Sequence, residues 1–162
     1  MNAKDVLKHA LVANQNIMTM YLSDLSDADF LVRPVPNANH IAWQLGHLIA
    51  AEAQYFLPEV PGASKFELPA GFDKQHGKEM ATSDTGFKTK DEYLALFGKL
   101  RQATLAALEK LPEADLDKPV SGRVARIAPN IGALFFLCAN HVMMHAGQFA
   151  VVRRKLGKPV LF

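Results

Sequence analysis

Pro129-Asn130-Ile131-Gly132-Ala133-Leu134-Phe135-Phe136-Leu137-Cys138-Ala139-Asn140-His141-Val142-Met143-Met144-His145-Ala146-Gly147-Gln148-Phe149-Ala150-Val151-Val152-Arg153-Arg154-Lys155-Leu156-Gly157 is the segment whose reading decides the fold. Ile131, Leu134, Cys138, His141, His145, Gln148 and Val152 recur at steps of three and four, the period of one helix face, and that face is expected to point inward. Pro129 sits where a first-turn proline belongs, Arg153, Arg154 and Lys155 suit the negative end of the helix dipole, and Gly157 supplies a stop. A helix this long must pack its apolar face against others.

Three further helices are legible upstream. Val6, Leu7, Ala10, Leu11, Ile17, Met18 and Tyr21 repeat helically between Lys4 and Leu22 without Gly or Pro. Ser23 to Asn39 has the composition of a connection, with one possible helical turn at Asp27-Ala28-Asp29-Phe30-Leu31. Asn37 or Asn39 is expected to cap a second helix, Ile41 to Phe56, ahead of Pro58. Thr89 and Glu92 form a capping-box pair opening a third helix that Pro112 stops after Leu111. Between them, Pro58 to Thr89 holds Pro61, Pro69, Gly62, Gly71, Gly77 and Gly86 and no apolar period, so a loop of about thirty residues is expected. Such a loop should wall a site or a contact between copies, with Phe66, Phe72 and Phe87 as its apolar face. With a second irregular stretch from Pro112 to Ala128, the pattern predicts an all-α four-helix bundle with long crossover loops, one domain over residues 1–162. Long crossings allow neighbouring helices to run parallel, so spacing alone does not give their order.

Composition narrows the function. The chain has 162 residues, 18 Lys+Arg against 16 Asp+Glu, a formal charge of +2 and 49% hydrophobic residues, enough for a single core. That weak, dispersed charge argues against nucleic acid and anionic membranes as partners. The cations Arg123, Arg126, Arg153, Arg154, Lys155 and Lys158 are the one basic cluster, and the last four sit near a helix C-terminus, where the dipole favours them. The apolar runs are expected to be too short and interrupted for a membrane span, and the N-terminus lacks the features of a signal peptide, so a cytoplasmic location is expected. Cys138, the single cysteine, excludes an intrachain disulfide.

Histidines carry the chemistry. His141 and His145 lie about 40° apart around the helix and about 6 Å along it, so both rings can reach one ion. A buried imidazole pair needs hydrogen-bond partners or a cation, although most such pairs are ordinary residues. The segment His141-Val142-Met143-Met144-His145 has no glutamate after its first histidine, which excludes the His-Glu-x-x-His metalloprotease. His47 lies within Ile41-Ala42-Trp43-Gln44-Leu45-Gly46-His47-Leu48-Ile49, beside a glycine that allows close helix approach, and is expected to face inward. Cys138 shares the His141 face and can in principle ligate, but a small buried hydrophobe is the simpler reading. His40, seven residues before His47, and Gln148, three after His145, are candidates for supporting positions around a site. His9 and His76 have no partner in the sequence.

Ile41-Ala42-Trp43-Gln44-Leu45-Gly46-His47, His141-Val142-Met143-Met144-His145-Ala146-Gly147-Gln148 and the closing Arg153-Arg154-Lys155-Leu156-Gly157-Lys158-Pro159 resemble the DinB-like family of metal-binding four-helix bundles. The resemblance extends in style through Pro69-Ala70-Gly71-Phe72 and the third helix, over nearly the whole chain. It implies a divalent metal held by His47, His141 and His145, a bundle with long crossings, and a homodimer. Relatives include thiol-cofactor S-transferases and a thiol-dependent isomerase. Three neutral imidazoles leave coordination positions open, as catalytic sites do. The expectation is therefore a metal-dependent enzyme of the thiol S-transferase or hydrolase class acting on a small molecule, with zinc the first-choice metal, nickel the second, and a low-molecular-weight thiol as co-substrate. The rival is a non-catalytic dimeric bundle that the metal merely ties together.

Overall fold

The computed structural model describes residues 1–159 and Leu161. In chain order the helices are α1 (Ala3–Leu22), the single turn α2 (Asp27–Phe30), α3 (Ile41–Ala51), the single turn α4 (Phe72–Gln75), α5 (Lys90–Lys110) and α6 (Ile131–Lys155). Among the described residues there is no strand; one isolated bridge joins Pro119 to Asn130. The protein is all-α, with four main helices.

The starts of the helices are chemically distinct. α1 and α5 begin with reciprocal caps, Asn2 with Asp5 and Thr89 with Glu92, so that each cap side chain accepts from a free amide and the partner carboxylate accepts from the cap amide. Two expected helix starts are corrected. α3 is capped by His40, whose Nδ1 accepts from the Trp43 amide at 3.0 Å, rather than by Asn37 or Asn39. α6 is capped by Asn130, which accepts from the Ala133 amide at 2.8 Å, while Pro129 stays outside the helix and its carbonyl accepts from the Val120 amide at 3.1 Å.

The order around the bundle is α1, α5, α3, α6, because α1 packs mainly on α6 and also on α5, and α3 packs on both α5 and α6. Directions follow from cross-helix bonds. Asn14 donates to the Ala139 carbonyl and Arg153 to the Tyr21 carbonyl, so α1 and α6 run parallel. Lys4 reaches the Leu111 carbonyl and Lys90 the Leu25 carbonyl, so α1 and α5 run antiparallel. Gln44 meets His145, whereas Arg101 links Glu52 to Cys138, so α3 opposes α6. Two neighbouring pairs are thus parallel, and the chain must travel back along the bundle between α3 and α5. That return is the physical reason for the long connection after Glu59.

The return segment is not a featureless loop, as its composition suggested. α4 lies along α3, the short 3-10 turn Lys78–Met80 packs on α4, and Trp43 of α3 donates its indole N–H to the Gly77 carbonyl at 3.1 Å. Arg33 staples the two crossings together by donating to the Ala38, Ala81 and Ser83 carbonyls at 2.7, 2.9 and 2.9 Å and pairing with Asp84. Below the histidines, α3 loosens into a π-turn, Glu52–Phe56, a local widening common at functional sites. Its first residue, Glu52, is buried and accepts from Arg101 at 2.9 Å and from the Thr104 hydroxyl at 2.6 Å.

α6 also corrects the expectation about membrane spans. Ile131–Val152 contains no Asp, Glu, Lys or Arg, and the helix is long and apolar enough to cross a bilayer by length and composition. Here one face of it, including Leu134, Phe135, Val142 and Phe149, is core of the bundle.

Candidate metal centre

α3 and α6 cross where each carries its histidines, and the three rings converge. One nitrogen each of His47, His141 and His145 lies within 4.8 Å of the others, close enough to hold a single ion. The ring centroids are 5.3 Å apart for His47 and His141, 5.6 Å for His47 and His145, and 5.0 Å for His141 and His145. His145 is buried, while His47 and His141 are half-buried at the open side.

Each ring is oriented by a neighbour. His145 Nδ1 lies 2.8 Å from Gln44 Oε1, and the Gln44 amide nitrogen in turn donates to the Asn39 carbonyl at 2.7 Å. With the amide so oriented, Nδ1 of His145 must donate, which leaves the lone pair on Nε2 for a cation. Trp43 stacks on His47 at 5.2 Å with planes 3° apart, and Phe56 from the π-turn meets His141 edge-on at 5.9 Å. Burial disfavours the imidazolium form and, with the neighbouring histidines, depresses His145 to about 3 and His141 to about 4; burial lowers His47 as well. All three rings are therefore neutral at pH 7, the protonation state that ligation requires. Three neutral imidazole nitrogens are a donor set that fits a divalent metal ion.

A cleft of about 930 Å³ opens beside the cluster, with His47, His141 and Trp43 on its inner wall. Asp73, His76 and Glu79 enter it from the return segment, so that segment does wall the site. The expected aromatic wall is corrected. Phe72 is buried against His76, and Phe66 and Phe87 pack on the core; none of the three lines the cleft.

The remaining candidates have other places. Gln148 is exposed, which corrects its assignment to the inward stripe. The buried side of α6 is centred on Cys138, Val142 and Phe149, about 60°, 100° and 80° round the axis from His141, whereas Gln148 falls about 20° to the other side. His141 is thus the rim of the buried face, and Gln148 lies past it. His40 is fully buried but spends both nitrogens elsewhere, Nδ1 on the Trp43 amide and Nε2 on the Ser83 carbonyl at 3.0 Å. Cys138 is buried outside the cluster, where Arg101 approaches its sulfur at 3.7 Å and burial raises the thiol pKa. The basic cluster divides: Arg153 pairs with Asp24, Lys155 and Lys158 donate to the Arg33 and Asp24 carbonyls at 2.8 and 2.9 Å, and Arg123 and Arg126 line the cleft.

Gln44, Trp43 and His76 are site residues that the sequence analysis left unassigned. Gln44 stands three residues before His47, the same one-turn step that joined Gln148 to His145, so spacing offered both glutamines equally. His76 carries no local signal.

The sequence pattern of the DinB superfamily matches residues 10–149. A crystal structure described as the conserved protein of locus from Enterococcus faecalis superposes with a TM-score of 0.70 at 15% identity, covering 98% of this chain and 99% of that one, which shows the shared fold. No curated protein sequence matches.

Proposed function

From the premise that this chain belongs to the DinB superfamily, we propose that His47, His141 and His145 hold one divalent metal ion as the open centre of an enzyme acting on a small molecule, of the thiol S-transferase or hydrolase class. Zinc is the first-choice metal and nickel the second, since neutral imidazoles accept both. One observation carries the reading: one nitrogen of each of three neutral imidazoles lies within 4.8 Å of the others, and two of the rings, His47 and His141, form part of the wall of a cleft large enough for a small molecule. A bound divalent ion supplies Lewis acidity, which makes a thiol or water a better nucleophile at neutral pH.

The chain's own residues support that role by position. Gln44 keeps the His145 lone pair directed into the cluster, and Trp43 and Phe56 shield the rings from bulk water. A metal that only tied helices together would need no such opening, so the cleft favours the catalytic reading over the non-catalytic dimer. The reading includes a homodimer. Phe136, Met144 and Val151 are exposed along the outer side of α6, an apolar strip that a second copy can cover. A low-molecular-weight thiol as co-substrate suits a reducing compartment, and the proposed location is the cytoplasm.

Elemental analysis of the purified protein, with His47→Ala, His141→Ala and His145→Ala beside it, tests the metal. One equivalent in the parent and a sharp loss in each variant are expected; full stoichiometric metal in the variants overturns the assignment. A screen of small thiols with an electrophilic substrate then tests the class of reaction, and light scattering tests the dimer, expected at about twice the 17.8 kDa chain mass.

A further inference from the structure

We propose that Arg123 and Arg126 form an oxyanion-recognition edge of the cleft, so that the molecule bound there carries a carboxylate or phosphate group. The inference rests on the reading of the cleft as a substrate site and adds the charge of what enters it.

The arginines of this chain sort by what they touch. Arg33, Arg101 and Arg153 make ion pairs with Asp84, Glu52 and Asp24, and all three are engaged in holding the fold. Arg154 is exposed in the last turn of α6, where its charge complements the dipole. Arg123 and Arg126 differ from both groups. They flank one 3-10 turn, Arg123–Arg126, both line the cleft, and among the described residues neither guanidinium has an ion pair or hydrogen bond. The Arg123 guanidinium sits over the Tyr55 ring at 6.0 Å, which holds it at the cleft wall with its donors unspent. Planar guanidinium forks match the geometry of carboxylate and phosphate, which lysines do not reproduce.

The turn that carries them is built to stay in place. Glu59, just after the π-turn on the continuation of α3, accepts from the Ser121 amide at 3.0 Å and from the Ser121 hydroxyl at 2.9 Å. Gly122 follows with φ 62° and ψ −159°, a conformation open essentially to glycine, and a Cβ there would lie 2.6 Å from Glu59 Oε1. Val124, between the two arginines, is buried, and its carbonyl accepts from the Ile127 and Ala128 amides at 3.0 and 2.9 Å. The helix that positions His47 thus also positions the arginine turn. Asp73 and Glu79 enter the same cleft from the return segment, and neither is ion-paired to either arginine, so the two cations remain available to a ligand.

Trp43 supplies the assay, because it is the only tryptophan and lines the cleft. Its fluorescence is titrated with succinate and separately with inorganic phosphate, in the protein as purified and after chelator treatment. Saturable binding of at least one anion is expected in both forms, weakened about tenfold in the Arg123→Gln/Arg126→Gln double variant and unchanged in Arg154→Gln. Glu59→Gln, which leaves both arginines in place but loosens their turn, should weaken the same anion severalfold. The stronger of the two anions identifies the oxyanion. The proposal is overturned by no saturable response to either anion, by equal affinity in the double variant, or by binding that vanishes with the metal and ignores the arginines. Loss of metal from the purified protein, with arginine-dependent binding intact, would instead count against the metal reading alone.

Discussion

Gly46→Ala sets two opposed effects against each other. Alanine is the better helix former by about 0.8–1.0 kcal/mol, so in open space this substitution should stabilise α3. The space is closed: a Cβ at position 46 would lie 2.0 Å from His76 Cδ2 and 2.1 Å from Nε2. His76 cannot simply swing aside. It is 3% exposed, its Nδ1 donates to the Phe72 carbonyl at 2.6 Å, and its Nε2 accepts from the buried Tyr93 hydroxyl at 2.6 Å. Displacing the ring loses two hydrogen bonds worth about 1 kcal/mol each and adds about 1–3 kcal/mol of overpacking, so the net change is a destabilisation of about 3 kcal/mol. With a urea slope of about 2 kcal/mol/M the midpoint should fall by about 1.5 M at pH 7.5. The pH dependence supplies a second readout. Burial lowers His76 to about 4 from an unfolded value of 6.5, so the unfolded chain binds the extra proton first, and the stability present above pH 6.5 is lost as pH falls toward 4, by about 3 kcal/mol from this group. In Gly46→Ala that part of the acid loss should shrink. A variant as stable as the parent, or more stable by about 1 kcal/mol, refutes the close approach. A destabilised variant with an unaltered acid slope refutes the role given to His76.

Three further outcomes follow from other contacts. Gln44→Leu removes the acceptor that orients His145 and should lower metal affinity about 10- to 100-fold without unfolding the bundle, as read by competition with a chromophoric chelator; unchanged affinity would remove Gln44 from the site. Glu52→Ala leaves Arg101 buried and unpaired and should cost about 3–5 kcal/mol in urea unfolding, and a loss below about 1 kcal/mol would show that the pair is not buried as described. Chelation of the metal at about 100 times its dissociation constant should lower stability by about 2.7 kcal/mol, a fall of several degrees in Tm, and His141→Ala should show no such difference.

Four helices, the reciprocal cap at Thr89 and Glu92, and a His141–His145 pair on one helix face were legible from local pattern, because helical period and capping act within a few residues. The likeness of the Trp43 to His47 stretch to DinB-like proteins pointed to the third histidine. Tertiary structure decided what no local pattern contains. Gln44 and Gln148 stand in equivalent one-turn steps from a histidine, and only the crossing of α3 with α6 buries the first against His145 and leaves the second in solvent. His76 is unremarkable in sequence; the parallel course of α3 and α5 forces the chain to return along α3, and that return seats the ring against Gly46. Arg123 and Arg153 are both arginines in a basic cluster, yet one stands over Tyr55 in the cleft and the other is sealed against Asp24. Periodicity marks that a segment is a helix with an apolar side, because that depends on neighbours in sequence, but it left the edge of that side at Gln148 misplaced. Which partner meets that face depends on residues far apart in the chain, and only packing brings them together.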